Sequence, residues 1–378
     1  MVPAVIAGYA RSPFQFARKG AFASMRPDDI AAQVVKGLID RLDLDPALIE
    51  DLIAGCAYPE AEQGSNVARI VSFLAGLPNT VAAATVNRFC GSSMTSVHMA
   101  AAAMQLGAGE AFLCIGLESM SRVPQGGLNF SPNPHLLENF PEAYVTMGQT
   151  AENVARRFAV TREDQDRMAA SSHRKAAAAQ QAGLLANEII PIKTPEGLVT
   201  SDGCIRPGTT EEVLAGLKPA FDPQGTVTAG TSSPLTDGAT ALLVCTEDFA
   251  ERHQLSVSAR IKSVAVAGCP PEIMGMGPVY ATRKALQRAG LDINDIDVIE
   301  LNEAFASQAV ACVRELGIDG DRVNIDGGAM ALGHPLGATG ARIAGKAADI
   351  LKRTGGRYAL ATQCIGGGQG IATVLEAV

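Results

Sequence analysis

The sequence contains no tryptophan, few aromatic residues and little positive charge. Phe, Trp and Tyr together make up 4% of its 378 residues, and the formal net charge is -8 at neutral pH. A general nucleic-acid-binding protein needs a basic surface to neutralise phosphates, so this charge argues against a nucleic-acid partner. A small anionic substrate would instead require positive charge gathered at one place.

Long hydrophobic runs and paired cysteines are also missing. No run approaches the roughly 18 apolar residues of a membrane span, and residues 1–10 are followed by Arg11 and a turn rather than by a signal-peptide cleavage region. The eight cysteines are scattered without a C-x-x-C pair, which argues against a zinc site or a disulfide framework. We therefore expect a cytoplasmic protein without a membrane span, a metal or a bound cofactor, in which most cysteines are small core residues.

The residues that are abundant indicate a globular α/β protein. Hydrophobic residues make up 47% of the chain, and 39 residues are glycine, which suits close packing of helices on sheets. Apolar runs alternate with helical patterns, which predicts strands at 4–8, 51–55 and 111–116 and helices at 28–42 and 92–106. Strands separated by helices predict a parallel sheet.

The same order of elements returns near the C-terminus, which indicates an internal repeat. Helices are predicted at 281–289 and 341–352, and strands at 298–301 and 358–362. Residues 38–53 align best with residues 286–299, because each is a helix end, a short acidic turn and a buried strand.

The segment between the two repeats has a different amino-acid composition. Residues 119–234 are richer in Pro, Asn, Gly and charged helices, which is typical of a loop domain that covers a site. We therefore divide the chain into an N-terminal half (1–118, completed by 235–257), an inserted loop domain (119–234) and a C-terminal half (258–378).

Cys90 is a candidate nucleophile. It lies in VNRFCGSSM (residues 86–94), where a strand-like run enters a Gly-Ser turn and then a helix. A thiol at a helix N-terminus is expected to have a lowered pKa and thus more nucleophilic thiolate. The alternative is a buried structural cysteine.

His334 is a candidate general base. It lies in GGAMALGHPLGATGAR (residues 327–342), where five glycines in sixteen residues permit close approach of the backbone to a ligand. The remaining four histidines occupy helical or polar surroundings, where a satisfied or solvated ring is expected.

Two further motifs follow predicted strands. Cys364 comes after the strand at 358–362 and before GGGQG, so its sulfur is expected at the carboxyl end of a strand, where ligands bind in α/β sheets. Ile371 breaks the G-x-G-x-x-G spacing, which excludes a dinucleotide fingerprint. Asn302 opens NEAFA (residues 302–306) at another strand end and could offer an amide there, with Glu303 orienting its neighbours; the alternative is that Asn302 is a helix N-cap.

Taken together, these motifs resemble the thiolase family over nearly the full chain. MGQTAENVA (147–155), IRPGTT (205–210), TVTAGTSS (226–233) and CIGGGQGIA (364–372) extend the resemblance in order. It implies a five-layer αβαβα fold made of two similar halves, acyl-CoA substrates, and coenzyme A as a co-substrate with no bound cofactor. Family members are dimers or tetramers, so the resemblance also implies a homodimer or homotetramer, with a hydratase/dehydrogenase subunit as a further possible partner.

The resemblance also assigns roles to residues. It makes Cys90 the nucleophile, His334 the base that activates Cys90 and later the CoA thiol, and Cys364 the acid/base at the substrate α-carbon. One oxyanion would be stabilised by His334 with a water held by Asn302, and the other by the backbone amides of Cys90 and Gly366.

For coenzyme A, the resemblance implies six contact residues, each of which has a simpler structural interpretation. It places Arg206 at the nucleotide end, Ala229 and Ser233 near the pantetheine, and Met147, Met274 and Phe305 along the tunnel. A Met or Phe at such spacings is more often simply part of a core.

Details of the motifs favour the degradative 3-ketoacyl-CoA thiolases of fatty-acid β-oxidation. VNRFCGSSM, Gln369 and MGMGP (274–278) are similar to that subfamily, and Thr146 stands where short-chain biosynthetic thiolases commonly have a histidine. Two alternatives stay open: a short-chain acetoacetyl-CoA thiolase working in the condensing direction, and a catalytically silent lipid-binding relative. A decarboxylating ketosynthase would have a second histidine in place of Asn302.

Overall fold

The computed structural model describes residues 2–378, which form twelve strands and twelve α-helices. The strands are β1 (Ala4–Arg11), β2 (Gln15–Phe16), β3 (Asp51–Gly55), β4 (Ala82–Val86), β5 (Ala111–Ser119), β6 (Ile192–Thr194), β7 (Gly197–Val199), β8 (Thr236–Thr246), β9 (Ala259–Gly268), β10 (Val298–Leu301), β11 (Tyr358–Ile365) and β12 (Gln369–Glu376). The helices are α1 (Pro27–Leu42), α2 (Val67–Leu74), α3 (Ser92–Gln105), α4 (Pro134–Asn139), α5 (Met147–Arg157), α6 (Arg162–Gln181), α7 (Glu211–Ala215), α8 (Glu247–Arg252), α9 (Gly277–Ala289), α10 (Ala306–Leu316), α11 (Ala329–Leu332) and α12 (Leu336–Thr354).

The elements predicted from apolar periodicity are all present, and several are longer than predicted. The strand predicted at 4–8 continues to Arg11, and the helix predicted at 341–352 begins at Leu336. Both extensions contain polar or glycine residues that are nevertheless buried, so the apolar pattern predicted these elements too short.

The sheet is mixed, so the prediction of a parallel sheet is wrong in part. Strands β3, β4 and β5 are parallel neighbours, as are β10 and β11, but β1, β8, β9 and β12 run antiparallel to their neighbours. The short turn between β11 and β12 forces an antiparallel hairpin, because parallel neighbours need a long crossover. The alternation of helices and strands therefore predicted the parallel strand pairs correctly but not the antiparallel pairs.

The internal repeat predicted from the sequence is confirmed in the strand order. One half reads β4-β3-β5-β8-β1 and the other β10-β11-β12-β9, and two residue pairs between β1 and β9 join them. Residues 38–53 and 286–299, aligned from the sequence, run from α1 into β3 and from α9 into β10.

The two halves enclose a central layer of helices. The core between α1, α2 and the first half of the sheet is separate from the core between α9, α10 and the second half. A third core contains residues from both halves of the sheet together with α3 and α12, which lie between them. This order of helix, sheet, helix, sheet and helix is the predicted five-layer fold.

Small residues let the two central helices approach closely. A Cβ on Gly340 would lie 2.3 Å from the backbone nitrogen of Met94 in α3, and a Cβ on Gly116 would lie 2.3 Å from the carbonyl oxygen of Gly337. The Ser93 hydroxyl accepts a hydrogen bond from the N–H of Ala341 at 2.8 Å. The N-terminal ends of α3 and α12 therefore meet, and they bring together the turns that contain Cys90 and His334.

The segment between β5 and β8 contains α4 to α7 and the β6–β7 hairpin, and it is anchored by buried charge. The guanidinium of Arg11 in β1 bonds Asp202 at 2.6 Å and Glu188 at 2.8 Å, and all three side chains are almost completely buried. Removing one partner of such a pair would leave an uncompensated buried charge, which costs about 3–5 kcal/mol. No helix within residues 2–378 combines the length and apolar character needed to cross a membrane.

Candidate active site

Cys90 lies in the turn that enters α3, and its surroundings come from distant parts of the chain. Its side chain is 9% exposed and packs in a small cluster with Ala57, Met120 and Leu336. The Gln363 side chain donates a hydrogen bond to the carbonyl oxygen of Cys90. This contact fixes the turn that contains Cys90 against β11, the strand that also contains Cys364.

The pKa of Cys90 does not follow the expectation from the helix N-terminus. Burial raises the pKa of the Cys90 thiol to about 11, although the backbone N–H groups of Gly366 and of Cys90 itself act in the opposite direction. The predicted net lowering is wrong, because the loss of hydration outweighs these donors. A thiolate at Cys90 therefore requires a base that takes the proton.

His334 precedes α12 and is held in one tautomer. Its Nδ1 is 2.6 Å from the Thr339 hydroxyl, which itself donates to the carbonyl oxygen of Pro335 at 3.0 Å. The single hydroxyl proton is used by Pro335, so the hydroxyl accepts from Nδ1–H. Nε2 then carries no proton, and its lone pair accepts a long hydrogen bond of 3.4 Å from the side-chain nitrogen of Asn302.

The environment of His334 also keeps the ring neutral. The side chain is 4% exposed, and burial, reinforced by the charge of Arg342, lowers the pKa of His334 to about 3. A neutral imidazole with an unprotonated Nε2 is the form that can accept a proton. The His334 ring is thus unprotonated across the neutral pH range, as a candidate base must be.

Asn302 is not a helix cap, which excludes the alternative interpretation of this residue. The next helix, α10, has Phe305 as its N-cap, whereas Asn302 follows β10 directly and its N–H donates to Thr362 at 3.0 Å. The Asn302 side chain is completely buried, and its Oδ1 has no hydrogen-bond partner among residues 2–378. A buried amide with a free acceptor is suited to holding a water or a substrate group.

Cys364 is buried among the residues expected to line a tunnel. It forms one apolar cluster with Met274, Phe305 and Ala304, against which Met147 packs. Burial raises the pKa of the Cys364 thiol well above its usual range, and nearby Cys90 adds to the rise. The structure therefore brings both thiols and three of the predicted CoA-contact residues to one place.

The remaining predicted CoA-contact residues lie on the loop segment, at increasing distance from the thiols. The N–H of Ser233 donates to the carbonyl oxygen of Ala304 at 3.0 Å, and Ser232 pairs with Phe305. Ala229 is exposed and begins a 3-10 turn whose other two residues, Gly230 and Thr231, are buried. Arg206 is exposed, and its guanidinium lies over the ring of Phe16 at 5.6 Å and forms no ion pair within residues 2–378.

Glu118 is a site residue that the sequence did not reveal. Its buried carboxylate accepts hydrogen bonds from the N–H groups of Ala57 at 2.8 Å and Gly337 at 2.9 Å and from the Gln63 side chain at 2.8 Å. It thereby connects the end of β5 with the first turn of α12, next to His334. The signal available was a lone acidic residue within an apolar strand, which is rare unless the charge is paired or hydrogen-bonded.

Glu303 takes the orienting position that the sequence suggested. Its carboxylate accepts from Ser172 at 2.6 Å, from Asn324 at 2.7 Å and from the N–H of Met330 at 3.2 Å. These contacts fix the Asn302–Phe305 stretch against α6 and α11. Among residues 2–378, no three His, Cys, Asp or Glu side chains are grouped closely enough to hold a metal ion.

Comparison with known proteins identifies the family. Residues 4–248 match the thiolase N-terminal domain, and residues 255–377 match the thiolase C-terminal domain. The chain belongs to the thiolase family. The fold and the motif resemblance agree with this membership throughout.

Individual thiolases are similar over their whole length. The chain is 46% identical to a 3-ketoacyl-CoA thiolase of Bacillus subtilis and 48% identical to one of Shewanella sp. strain W3-18-1, with 100% of both chains covered in each case. Its structure resembles the crystal structure of the Bacillus anthracis acetyl-CoA acetyltransferase with a TM-score of 0.91 at 36% identity, covering 100% of this thiolase and 99% of that chain.

Proposed function

We propose that this thiolase cleaves 3-ketoacyl-CoA with coenzyme A, giving acetyl-CoA and an acyl-CoA shortened by two carbons. The observations that support the proposal are two buried thiols that act on each other, Cys90 and Cys364, and a neutral imidazole at His334 with an unprotonated Nε2. Cys90 packs against Leu336, two residues after His334, and Asn302 joins His334 to Thr362 of the strand that contains Cys364. The names of the relatives that are 46% and 48% identical support the same reaction class.

In the first half-reaction, Cys90 attacks the substrate. His334 takes the thiol proton as the sulfur bonds to C3, and the C2–C3 bond then breaks. Its electron pair leaves as the enolate of acetyl-CoA, which is protonated at C2 by the Cys364 thiol. The high pKa caused by burial keeps Cys364 protonated until this step, as an acid at that position requires.

In the second half-reaction, coenzyme A replaces the enzyme sulfur. The first half-reaction leaves His334 protonated and Cys364 as a thiolate, and transfer of that proton from His334 to Cys364, through solvent, resets both groups. We propose that neutral His334 then takes the CoA thiol proton as the CoA sulfur attacks the acyl-Cys90 thioester. His334 gives this proton to the Cys90 thiolate as it leaves, which restores the starting state. Thioester energy is conserved because one thioester is exchanged for another.

Two oxyanions develop during these steps. We assign one to the backbone N–H groups of Cys90 and Gly366, both of which lower the pKa of the Cys90 thiol and so favour negative charge at this place. We assign the other to His334 and Asn302, whose free Oδ1 can hold a water. One such donor is typically worth about 3 kcal/mol in the transition state.

The loop segment supplies the coenzyme A contacts in this proposal. We propose residues 119–234 as a loop domain, with 1–118 plus 235–257 and 258–378 as the two halves. Arg206 is the unpaired exposed cation for the nucleotide phosphates, Ala229 and Ser233 flank the pantetheine, and Met147 with the Met274 and Phe305 cluster lines the tunnel. A homodimer or homotetramer is proposed from family membership, whereas the cytoplasmic location and a hydratase/dehydrogenase partner stay predictions.

A second candidate is condensation of two acetyl-CoA molecules, which would use the same residues. The 36% identical structural relative named acetyl-CoA acetyltransferase favours it. The test is CoA-dependent loss of 3-ketoacyl-CoA absorbance with substrates from short to long acyl chains, with Cys90→Ala as the control. Activity that increases with chain length supports the degradative reaction, and activity confined to acetoacetyl-CoA would replace it with the second candidate. Absence of activity together with retained CoA binding would point to a silent relative.

A further inference from the structure

Helix α12 has a buried polar stripe that continues from the candidate base into the protein interior. Thr339, Arg342 and Lys346 are spaced by three and four residues, so they share one face of the helix. Their side chains are 0%, 1% and 3% exposed. Burying such groups is costly unless each has a partner, so the stripe needs a reason beyond packing.

The stripe faces polar residues at the end of β10 in two adjacent pairings. Glu300 and Asn302 are two residues apart and share a face of the strand. Thr339 holds His334, whose Nε2 is 3.4 Å from Asn302, and Arg342 Nη1 is 2.8 Å from Glu300 Oε2. Three helical residues correspond to a rise of about 4.5 Å, so the ion pair lies directly behind the imidazole.

The Arg342 charge is only partly balanced by Glu300. Arg342 Nε and Nη2, and also Glu300 Oε1, have no hydrogen-bond partner within residues 2–378, although both side chains are almost fully buried. Burial raises the pKa of Glu300 to about 7, although Arg342 and Lys346 lower it. The Arg342 charge acts on the His334 imidazole, and Glu300 bonds one of its guanidinium nitrogens, Nη1.

Other charged groups around this pair come from each neighbouring element. Lys346 on α12 and Asp326 from the loop before α11 both face Glu300, and they bond each other at 2.7 Å. Glu303 after β10 is held by Ser172 and Asn324. On the N-terminal half, Glu118 accepts from the first turn of α12. These acidic groups already have partners, whereas Arg342 keeps free donors.

We infer that Arg342, fixed in place by Glu300, is a positioning residue that adds to burial in opposing protonation of His334, so that Nε2 stays unprotonated to a lower pH than burial alone would achieve. A cation behind a buried imidazole opposes imidazolium formation, and the ion pair fixes where that cation lies. The inference deepens the proposed function, since it rests on His334 as the base. It assigns a role to two residues that contact neither substrate nor thiol.

The test measures the protonation of His334 directly, by NMR of the full-length protein with 15N-labelled histidine. The signal of His334 among the five histidines is assigned by its loss in His334→Gln. Titrations toward acid are compared for the parent protein, Arg342→Gln, Arg342→Lys and Glu300→Gln. Thermal melting confirms that each variant is folded, and the double variant Arg342→Gln/Glu300→Gln serves if the single neutral variant does not fold.

Three outcomes are expected. In Arg342→Gln the pKa of His334 rises by about 1–3 units, because a nearby charge typically has that effect, and the acid limb of kcat/KM moves to higher pH by the same amount. Arg342→Lys keeps the charge and should produce less than a third of that rise. Glu300→Gln leaves the cation uncompensated and should produce no rise.

An unchanged His334 titration in Arg342→Gln would overturn the inference. An equal rise in Arg342→Lys or in Glu300→Gln would also overturn it, because the effect would then come from loosened packing rather than from charge. The NMR titration requires no turnover. A protein that titrates as expected but never cleaves 3-ketoacyl-CoA would therefore contradict the proposed function separately from the electrostatic effect.

Discussion

The hydrogen bond between Thr339 and His334 gives a sharp test of the tautomer assignment. Thr339 is completely buried, and its hydroxyl is 2.6 Å from Nδ1 while donating to Pro335. Thr339→Val keeps the shape of the side chain and removes the acceptor. The Nδ1–H is then buried without a partner, or the ring moves to the other tautomer and loses the lone pair at Nε2.

The expected magnitude follows from this loss. Leaving a buried donor unsatisfied costs about 1–3 kcal/mol. At about 1.4 kcal/mol per factor of ten, this corresponds to a decrease in kcat/KM of about 5- to 150-fold. The assay is CoA-dependent thiolysis of a 3-ketoacyl-CoA, with thermal melting of the same preparations to separate catalysis from folding.

The matched control is Thr339→Ser, which keeps the hydroxyl and removes one methyl group. It should retain most of the activity of the parent protein. Full activity in Thr339→Val would refute the argument that Thr339 selects the tautomer. An equal loss in Thr339→Ser would instead attribute the effect to packing.

Three further predictions concern the thiols, the glycine behind Glu303 and the pH dependence of stability. Cys364→Ala should abolish cleavage of the C2–C3 bond but leave acylation of Cys90 by acetyl-CoA, detectable by mass spectrometry; normal thiolysis in this variant would exclude the acid/base role. Gly328→Ala places a Cβ 2.1 Å from the Glu303 carboxyl group, so this variant should lower the free energy of unfolding by about 1–3 kcal/mol. Gly320→Ala is the control, because its Cβ would have no atom within 4 Å and the variant should be as stable as the parent protein. Denaturant unfolding of both variants measures the difference. Below about pH 6.5 the histidines of the unfolded chain become protonated, whereas buried His334 in the folded protein stays neutral to about pH 3. Because the unfolded chain then binds the extra proton, His334 should lower the free energy of unfolding by about 2 kcal/mol at pH 5. The variant His334→Gln should not show this decrease.

Much of the fold could be predicted from periodicity and repetition. The alignment of residues 38–53 with 286–299 revealed two halves, and these fold as a helix followed by a buried strand in both places. Strand direction was not predictable to the same degree. Strand β8 follows the inserted segment and β12 follows a short turn, and both are antiparallel to their neighbours. A buried strand has the same apolar pattern whether it runs parallel or antiparallel, so the sequence did not indicate its direction.

The sequence by itself indicated which residues are candidates for the chemistry. Cys90, His334 and Cys364 each stand in a glycine-containing motif at the end of an element, and motif order places the chain among thiolases. These are local properties, because a turn before a helix or after a strand depends mainly on neighbouring residues. The chemical types and their approximate positions could therefore be read before any contact was known.

Only the tertiary structure decided the ionisation state of those residues. Burial raises the pKa of Cys90 to about 11 and lowers that of His334 to about 3, reversing the expectation from the helix N-terminus in the first case. Long-range hydrogen bonds orient these residues: Glu118 accepts from the N–H of Gly337, and Gln363 donates to the carbonyl oxygen of Cys90. Each pair is separated by more than two hundred residues along the chain. Hydration and such long-range hydrogen bonds exist only once the two halves have closed around α3 and α12, because until then water solvates every one of these groups.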